Sequence, residues 1–185
     1  MAAILAPVHR WTRRQYETMV LQNIFQPGER VELIDGVIVD MSPQKSFHSV
    51  ATRLVEDALR IAFATRHDVR VQMPLALDDA SEPEPDVAVV PGKARDYTQA
   101  HPTTAVLVVE VADATLRLDR KTKQAVYARN GIAEYWIVNL KDNCLEVYRD
   151  PQGDQYRSQM ILRCGDTVSP LARPAHAIAV ADLLP

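Results

Sequence analysis

Cysteine is scarce in this chain. There are two in 185 residues, Cys144 and Cys164, with no CxxC pair and no metal-type cluster. That argues against a disulfide scaffold or a zinc ribbon, and both thiols are expected to be reduced, as in a cytoplasmic protein. Long apolar runs are missing too. No stretch approaches the roughly 18 consecutive apolar residues of a membrane span, and Met1 to Pro7 is too short and uncharged for a secretory signal, so no membrane partner is expected. Basic charge is not in excess. A formal net charge of −3 argues against a protein that coats nucleic acid through bulk charge, so any polyanion must be met locally. Aromatic residues make up only 6%, few for stacking on sugar rings.

What is present is an ordinary globular composition, 47% hydrophobic and 24% charged, at a length that suits one hydrophobic core. No repeat, low-complexity tract or linker divides the chain. A single domain over residues 1–185 is expected, with a core at about 46–140, an N-terminal helix and hairpin at 11–41 and C-terminal strands at 144–180.

Residues 11–24 read as an amphipathic helix with Thr12 as N-cap and Trp11, Tyr16, Met19 and Val20 on the packed side; Pro27-Gly28 ends it. Arg30-Val-Glu-Leu-Ile34 and Val37-Ile-Val-Asp-Met41 flank Asp35-Gly36, the clearest hairpin signal in the chain, which Ser42-Pro43 closes. Residues 46–63 carry the longest helical pattern, with Val50, Leu54, Val55, Ala58, Leu59 and Ala62 as its apolar stripe. Strands are expected at 69–73, 86–90 and 105–111, then a helix at 119–130 capped by Gly131, a hairpin over 135–148, and strands at 156–162 and 177–180. Helix, three strands, helix and strand in that order predict an α/β (α+β) sheet with helices packed on it. The N-terminal hairpin and C-terminal strands are additions to that core.

The chemistry concentrates around one apolar strand, Val106-Leu-Val-Val-Val-Glu110-Val111. A carboxylate near the end of a buried strand must be paired, metal-bound or held at a cleft. The helix that follows supplies partners, because Asp119, Lys123 and Tyr127 at i, i+4 and i+8 share one face. Upstream, Glu82-Pro-Glu84-Pro-Asp86 brings acids to the mouth of a second strand. Asp86 and Glu110 on neighbouring strand ends, with a lysine from the next helix, make a divalent-cation site with a cation beside it. The bland alternatives stay open: Asp86 as a turn cap, Glu110 and Lys123 as a structural ion pair, Tyr127 as core. Trp136, in an apolar strand, reads as core.

The segments Glu32-Leu-Ile-Asp-Gly36, His48, Glu84-Pro-Asp86, Val109-Glu110-Val111 and Asp119-Arg-x-x-Lys123-x-x-x-Tyr127-x-x-x-Gly131-x-x-Glu134-Tyr-Trp136 resemble the Uma-two family of endonucleases, within the PD-(D/E)XK superfamily. The resemblance runs from about Trp11 to the C-terminus, and its last segment is the specific part. It implies a restriction-endonuclease-like fold, a mixed central sheet flanked by helices. It also implies Asp86 and Glu110 as metal ligands for Mg²⁺ or Mn²⁺, with the Val111 carbonyl as third ligand, and a lysine that assists the attacking water. The simplest motif puts that lysine two residues after the glutamate, where this chain has Ala112. In the family the lysine has moved to the following helix, which fits Lys123 better than Lys121. Glu32, His48, Glu84, Asp119 and Tyr127 are supporting candidates.

Hydrolysis of a phosphodiester needs a nucleophilic water, neutralised phosphoryl charge and a stabilised leaving oxyanion, and a carboxylate-held Mg²⁺ supplies all three. DNA is the expected partner, met through Arg117, Arg120 and Lys121 and, near the start, through Arg10-Trp11-Thr12-Arg13-Arg14. A homodimer presenting two basic edges would offset the acidic net charge. The competing readings are a nuclease-fold module that binds nucleic acid or protein without turnover, and a two-carboxylate glycosidase. The lysine beside the acids and the few aromatics speak against the latter.

Overall fold

Strand pairing begins with the residues that must bury both faces. The computed structural model describes residues 8–41, 43–64 and 66–185, so Met1 to Pro7, Ser42 and Thr65 lie outside the described residues. Six strands form one mixed sheet in the order β3 (His67–Val71), β4 (Val87–Pro91), β5 (Leu107–Ala112), β6 (Glu134–Asn139), β7 (Cys144–Gln152) and β8 (Gln155–Leu162). Every neighbouring pair is antiparallel except β5 and β6, which run parallel. A parallel pair needs a crossover, and the helical segment between the two strands provides it.

All six residues of β5 are buried, as their near-continuous apolar pattern demands of a strand covered on both faces. Leu107, Val109 and Val111 point to one face with Val87 and Val89, where α2 (Ser46–Phe63) lays down Val55, Leu59 and Phe63. Val108 and Ala112 join Ala88 and Val90 on the other face, under Tyr127, Ala128 and Ile132. Alternation therefore turns Glu110 towards the second face.

The crossover helix begins at α3 (Leu116–Leu118), passes through a π-helical turn (Asp119–Lys123) and ends as α4 (Gln124–Arg129). It starts earlier than expected, and the π turn inserts a residue into the α ladder. Gly131, at φ 71°, takes the left-handed position after its C-cap.

The hairpin β1 (Val31–Ile34) and β2 (Val37–Asp40) forms a separate two-stranded sheet, with Asp35 and Gly36 at φ 55° and 73° as a two-residue turn of that kind requires. α1 (Arg13–Leu21) leans on it: Thr12 caps through Gln15 in a full capping box, and the Tyr16 hydroxyl donates to the Val31 carbonyl at 2.9 Å. α1 is shorter than expected, ending before Asn23 at φ 54°; it buries Tyr16 alone, and Val20 is exposed.

β7 and β8 continue the central sheet, while β9 (Thr167–Val168) and β10 (Ile178–Ala179) pair apart from it. Trp136 is fully buried, and Cys144 and Cys164 are free thiols. Among the described residues no helix is long and apolar enough to cross a membrane.

Candidate active site

Val87 pairs with Val109, so the next step of the antiparallel register sets Asp86 against Glu110. The two acids interlock through the backbone: the Val111 N–H donates to Asp86 Oδ2 at 2.8 Å and the Asp86 N–H lies 3.4 Å from Glu110 Oε2. Since the Val111 N–H faces Asp86, its carbonyl lies on the same edge of β5, turned away from β6. His48 Nε2 and the Gln72 side-chain amide reach Asp86 Oδ1 at 3.1 and 3.2 Å. Glu110 Oε1 accepts from Lys123 Nζ at 3.1 Å and from the Tyr127 hydroxyl at 2.7 Å. Lys123 has a second carboxylate, Glu32 Oε1, at 2.9 Å, and Glu32 Oε2 accepts the Glu84 N–H at 3.0 Å.

The structure thus brings Asp86, Glu110, Lys123, Glu32, His48 and Tyr127 into one connected cluster. Asp119 joins by charge rather than by contact: it is buried, its Oδ2 accepts from the Thr115 hydroxyl at 2.7 Å, and its charge acts on both Lys123 and Glu110. Glu84 sits one step further out, paired with Arg30 at 3.2 Å. Lys123 is buried and Lys121 exposed, which separates the two candidate lysines.

Four carboxylates, Glu32, Asp86, Glu110 and Asp119, share the single ammonium of Lys123. Burial pushes Asp86 up to about 6, against the pull of the Val111 N–H and Lys123. It pushes Glu110 up to about 7, where Lys123 opposes and Asp86 and Glu32 assist. Asp119 rises to about 7 by burial and by the charge of Glu110. Lys123 goes up, because its burial is outweighed by Glu110, Glu32 and Asp119, so it stays an ammonium. Burial lowers His48, which stays neutral near pH 7.

The cluster floors a cavity of about 130 Å³ whose rim includes Asp40, Lys45, Asp113 and Thr115. Among the described residues no three His, Cys, Asp or Glu side chains converge as a metal-holding group. Asp86 and Glu110 stand at adjacent strand positions and the Val111 carbonyl lies on the same edge of β5, which gathers hard oxygen donors at one strand end. That fits a small divalent cation that keeps several waters.

Of the basic candidates, Arg117 and Lys121 are exposed along a shallow cleft that shares Ala114, Thr115 and Leu118 with the cavity. Arg120 is committed elsewhere: it forks onto the fully buried Glu146, with contacts from 2.6 to 3.2 Å. Arg10 and Arg13 donate to the carbonyls of Asp35 and Asp78. Sequence reasoning missed Gln72 and Arg30. Gln72 holds a left-handed backbone at φ 50°, a strain that its place at the end of an alternating strand does not signal.

No curated protein matches the chain. The family model Uma2, described as "Putative restriction endonuclease", matches residues 13–181. Among solved structures, a protein described as a "putative nuclease belonging to DUF820" from Anabaena variabilis superposes with a TM-score of 0.74 at 12% identity, covering 96% of this chain and 97% of its own. That likeness establishes the fold, and the mixed sheet flanked by helices expected from the sequence is borne out. The type IIG restriction endonuclease BpuSI matches at a TM-score of 0.44 and 17% identity, over 77% of this chain and 17% of its own, too remote to carry an argument.

Proposed function

The chain belongs to the Uma2 restriction endonuclease family, and from that premise we propose that it hydrolyses phosphodiester bonds of DNA as a metal-dependent endonuclease of the PD-(D/E)XK type. The observation that carries the reading is the buried cluster of four carboxylates around one lysine at the floor of an open cavity. So many acids out of water are unfavourable unless a cation is meant to join them.

Asp86, Glu110 and the Val111 carbonyl would hold Mg²⁺ or Mn²⁺. When bound, the cation supplies Lewis-acid neutralisation of phosphoryl charge and an acidified water. Lys123, fixed between Glu32 and Glu110, stays protonated and donates to the attacking water or a non-bridging phosphate oxygen. Tyr127 fixes the Glu110 carboxylate from the same side. His48 and Gln72 orient Asp86, and Glu84 holds Glu32 through its N–H. Arg117 and Lys121 receive phosphates flanking the scissile one, and a homodimer is part of the reading. Attack by water on phosphorus forms one P–O bond and breaks the bond to one bridging oxygen, which leaves as a hydroxyl group after taking up a proton.

A second reading, a nuclease-fold module that binds nucleic acid or protein without turnover, draws on one feature: both Asp86 oxygens and Lys123 already have protein partners. Calorimetric titration of Mg²⁺ and Mn²⁺ into the wild type and Asp86→Asn, with a cleavage assay on supercoiled and single-stranded DNA, separates the two. Metal binding lost in Asp86→Asn, with metal-dependent nicking lost in Lys123→Ala, supports the nuclease. Absence of specific metal binding by the folded wild type removes its mechanism and leaves the binding module.

A further inference from the structure

The apolar positions of α2 fall on two adjacent faces, and the sheet uses one. Ala51, Val55, Leu59, Ala62 and Phe63 are buried. Phe47, Val50 and Ile61 are 54%, 46% and 75% exposed, and Leu54 and Ala58 are half-buried. On a helix of 3.6 residues per turn, Phe47, Val50, Leu54, Ala58 and Ile61 lie within about 80° of arc. Beside them runs a charged row in which Arg53 pairs with Asp57 at 2.9 Å and Arg60 with Glu56 at 2.8 Å. An apolar ridge along 15 of the 18 residues of a helix, from Phe47 to Ile61, rimmed by charge on its open side, is the pattern of a contact surface.

The spacing of the ridge is symmetric. Counted from Leu54, Val50 and Ala58 lie four residues to either side, and Phe47 and Ile61 seven. An antiparallel copy crossing at Leu54 meets the same ridge, with Leu54 on Leu54, Phe47 against Ile61 and Val50 against the smaller Ala58. The two-fold keeps both charged rows on one side of the seam, where Arg53 of one copy falls about 3 Å along the axis from Asp57 of the other. A lipid surface or an unrelated helix would need the ridge to be apolar. An isologous contact uses that symmetry, and the opposite charges that meet across the seam favour a second copy over a lipid surface.

We propose that this ridge of α2 is the contact surface of a homodimer in which two copies pack α2 antiparallel about Leu54. The proposal deepens the homodimer part of the reading above and rests on it for nothing else. Its seam begins at Phe47, next to His48, so assembly buttresses the end of α2 that orients Asp86. One helix pair covers less than a standard interface of roughly 1,600 Å², so the dimer is expected to form in the micromolar range.

Sedimentation velocity across micromolar concentrations tests it, together with single cysteines in a Cys164→Ser background. The wild type is expected to show a concentration-dependent dimer. Ile61→Lys, at an exposed position that does not threaten folding, should weaken it about tenfold or more. Leu54→Cys should oxidise to a covalent dimer, and Ser49→Cys, on the opposite face, should not. A monomeric wild type over that range overturns the proposal. So does a dimer that Ile61→Lys leaves unchanged and Leu54→Cys fails to link. Since the readout is mass, a monomer that still cleaves DNA would remove the interface and leave the chemistry standing, and an inactive dimer would do the reverse.

Discussion

Replacing Lys123 with Met keeps the length of the side chain and removes the buried cation that Glu32 and Glu110 share. Its Nζ lies 2.9 Å from Glu32 and 3.1 Å from Glu110. At an effective dielectric of about 20, each contact amounts to roughly 5 kcal/mol before desolvation, which takes back several kcal/mol per ion. Breaking a buried pair from one side costs about 3–5 kcal/mol, a large part of the roughly 5–15 kcal/mol that holds a domain together. The loss should depend on pH, because the acids can escape it by taking up protons. Glu110 already sits at about 7 in the fold, against 4.5 as its ordinary value, with Lys123 pulling it down. Between those values the folded state binds more protons than the unfolded one, so stability falls as pH rises and then levels off. Without Lys123 the folded value moves higher and the fall continues further. Urea melts of metal-free protein should therefore show a modest loss at about pH 5, where Glu110 is protonated in both proteins, and the full loss at about pH 8. An equal loss at both pH values, or none at either, would refute the view of Lys123 as the counter-charge of the cluster.

Asp86→Asn removes a buried charge that the fold holds unfavourably at about 6. In metal-free protein near pH 8 it should be neutral or stabilising by up to about 2 kcal/mol in thermal melts, while Mg²⁺ binding and cleavage are lost. Mg²⁺ at about a hundred times its Kd should stabilise the wild type by about 2.7 kcal/mol and leave Asp86→Asn unchanged. The shift should be larger at pH 8 than at pH 6, since the cation competes with protons for the carboxylates. Arg117→Ala with Lys121→Ala should lower the salt slope of DNA binding in fluorescence anisotropy by about 2, and raise KM more than it lowers kcat. Gly36→Ala asks for a side chain at φ 73° and places its Cβ 2.8 Å from Arg10 Cβ, so denaturant melts should show a loss of at least about 1 kcal/mol.

The pair of acids was legible because it depends on short-range rules. A buried strand ending in a carboxylate, and a proline-braced acid entering its neighbour, put Asp86 and Glu110 in adjacent positions as soon as β4 pairs with β5. Lys123 was legible as a face-sharing residue, although the path to it was not: the α spacing assumed between Asp119 and Lys123 is a π turn, which leaves no mark on apolar periodicity. Arg120 looked like a phosphate contact because its true partner, Glu146, arrives 26 residues later on another strand. The shared ridge and core of α2 were merged into one stripe for a related reason. Val50, Leu54, Val55 and Ala62 are equally apolar, and only the position of the sheet separates the buried from the exposed among them.

The hairpin is where those local and distant constraints meet. From the sequence it is an addition outside the core, yet it delivers Glu32 to Lys123 and, through Glu32, fixes the Glu84 N–H next to Asp86. A lysine placed two residues after Glu110 would have been held by the strand itself. Brought in from a helix instead, it has to be held in place from outside the sheet, and three long-range ties supply that hold. Leu33 pairs with Glu82 on the loop that leads to Asp86, the Gly36 N–H donates to the Ala80 carbonyl at 2.7 Å, and Arg129 at the end of α4 reaches Asp35 at 2.7 Å. The same helix that carries Lys123 therefore anchors the hairpin that steadies it. That closed loop of contacts accounts physically for a Glu32-Leu-Ile-Asp-Gly36 segment that forms no part of the central sheet and still fixes the lysine beside Glu110.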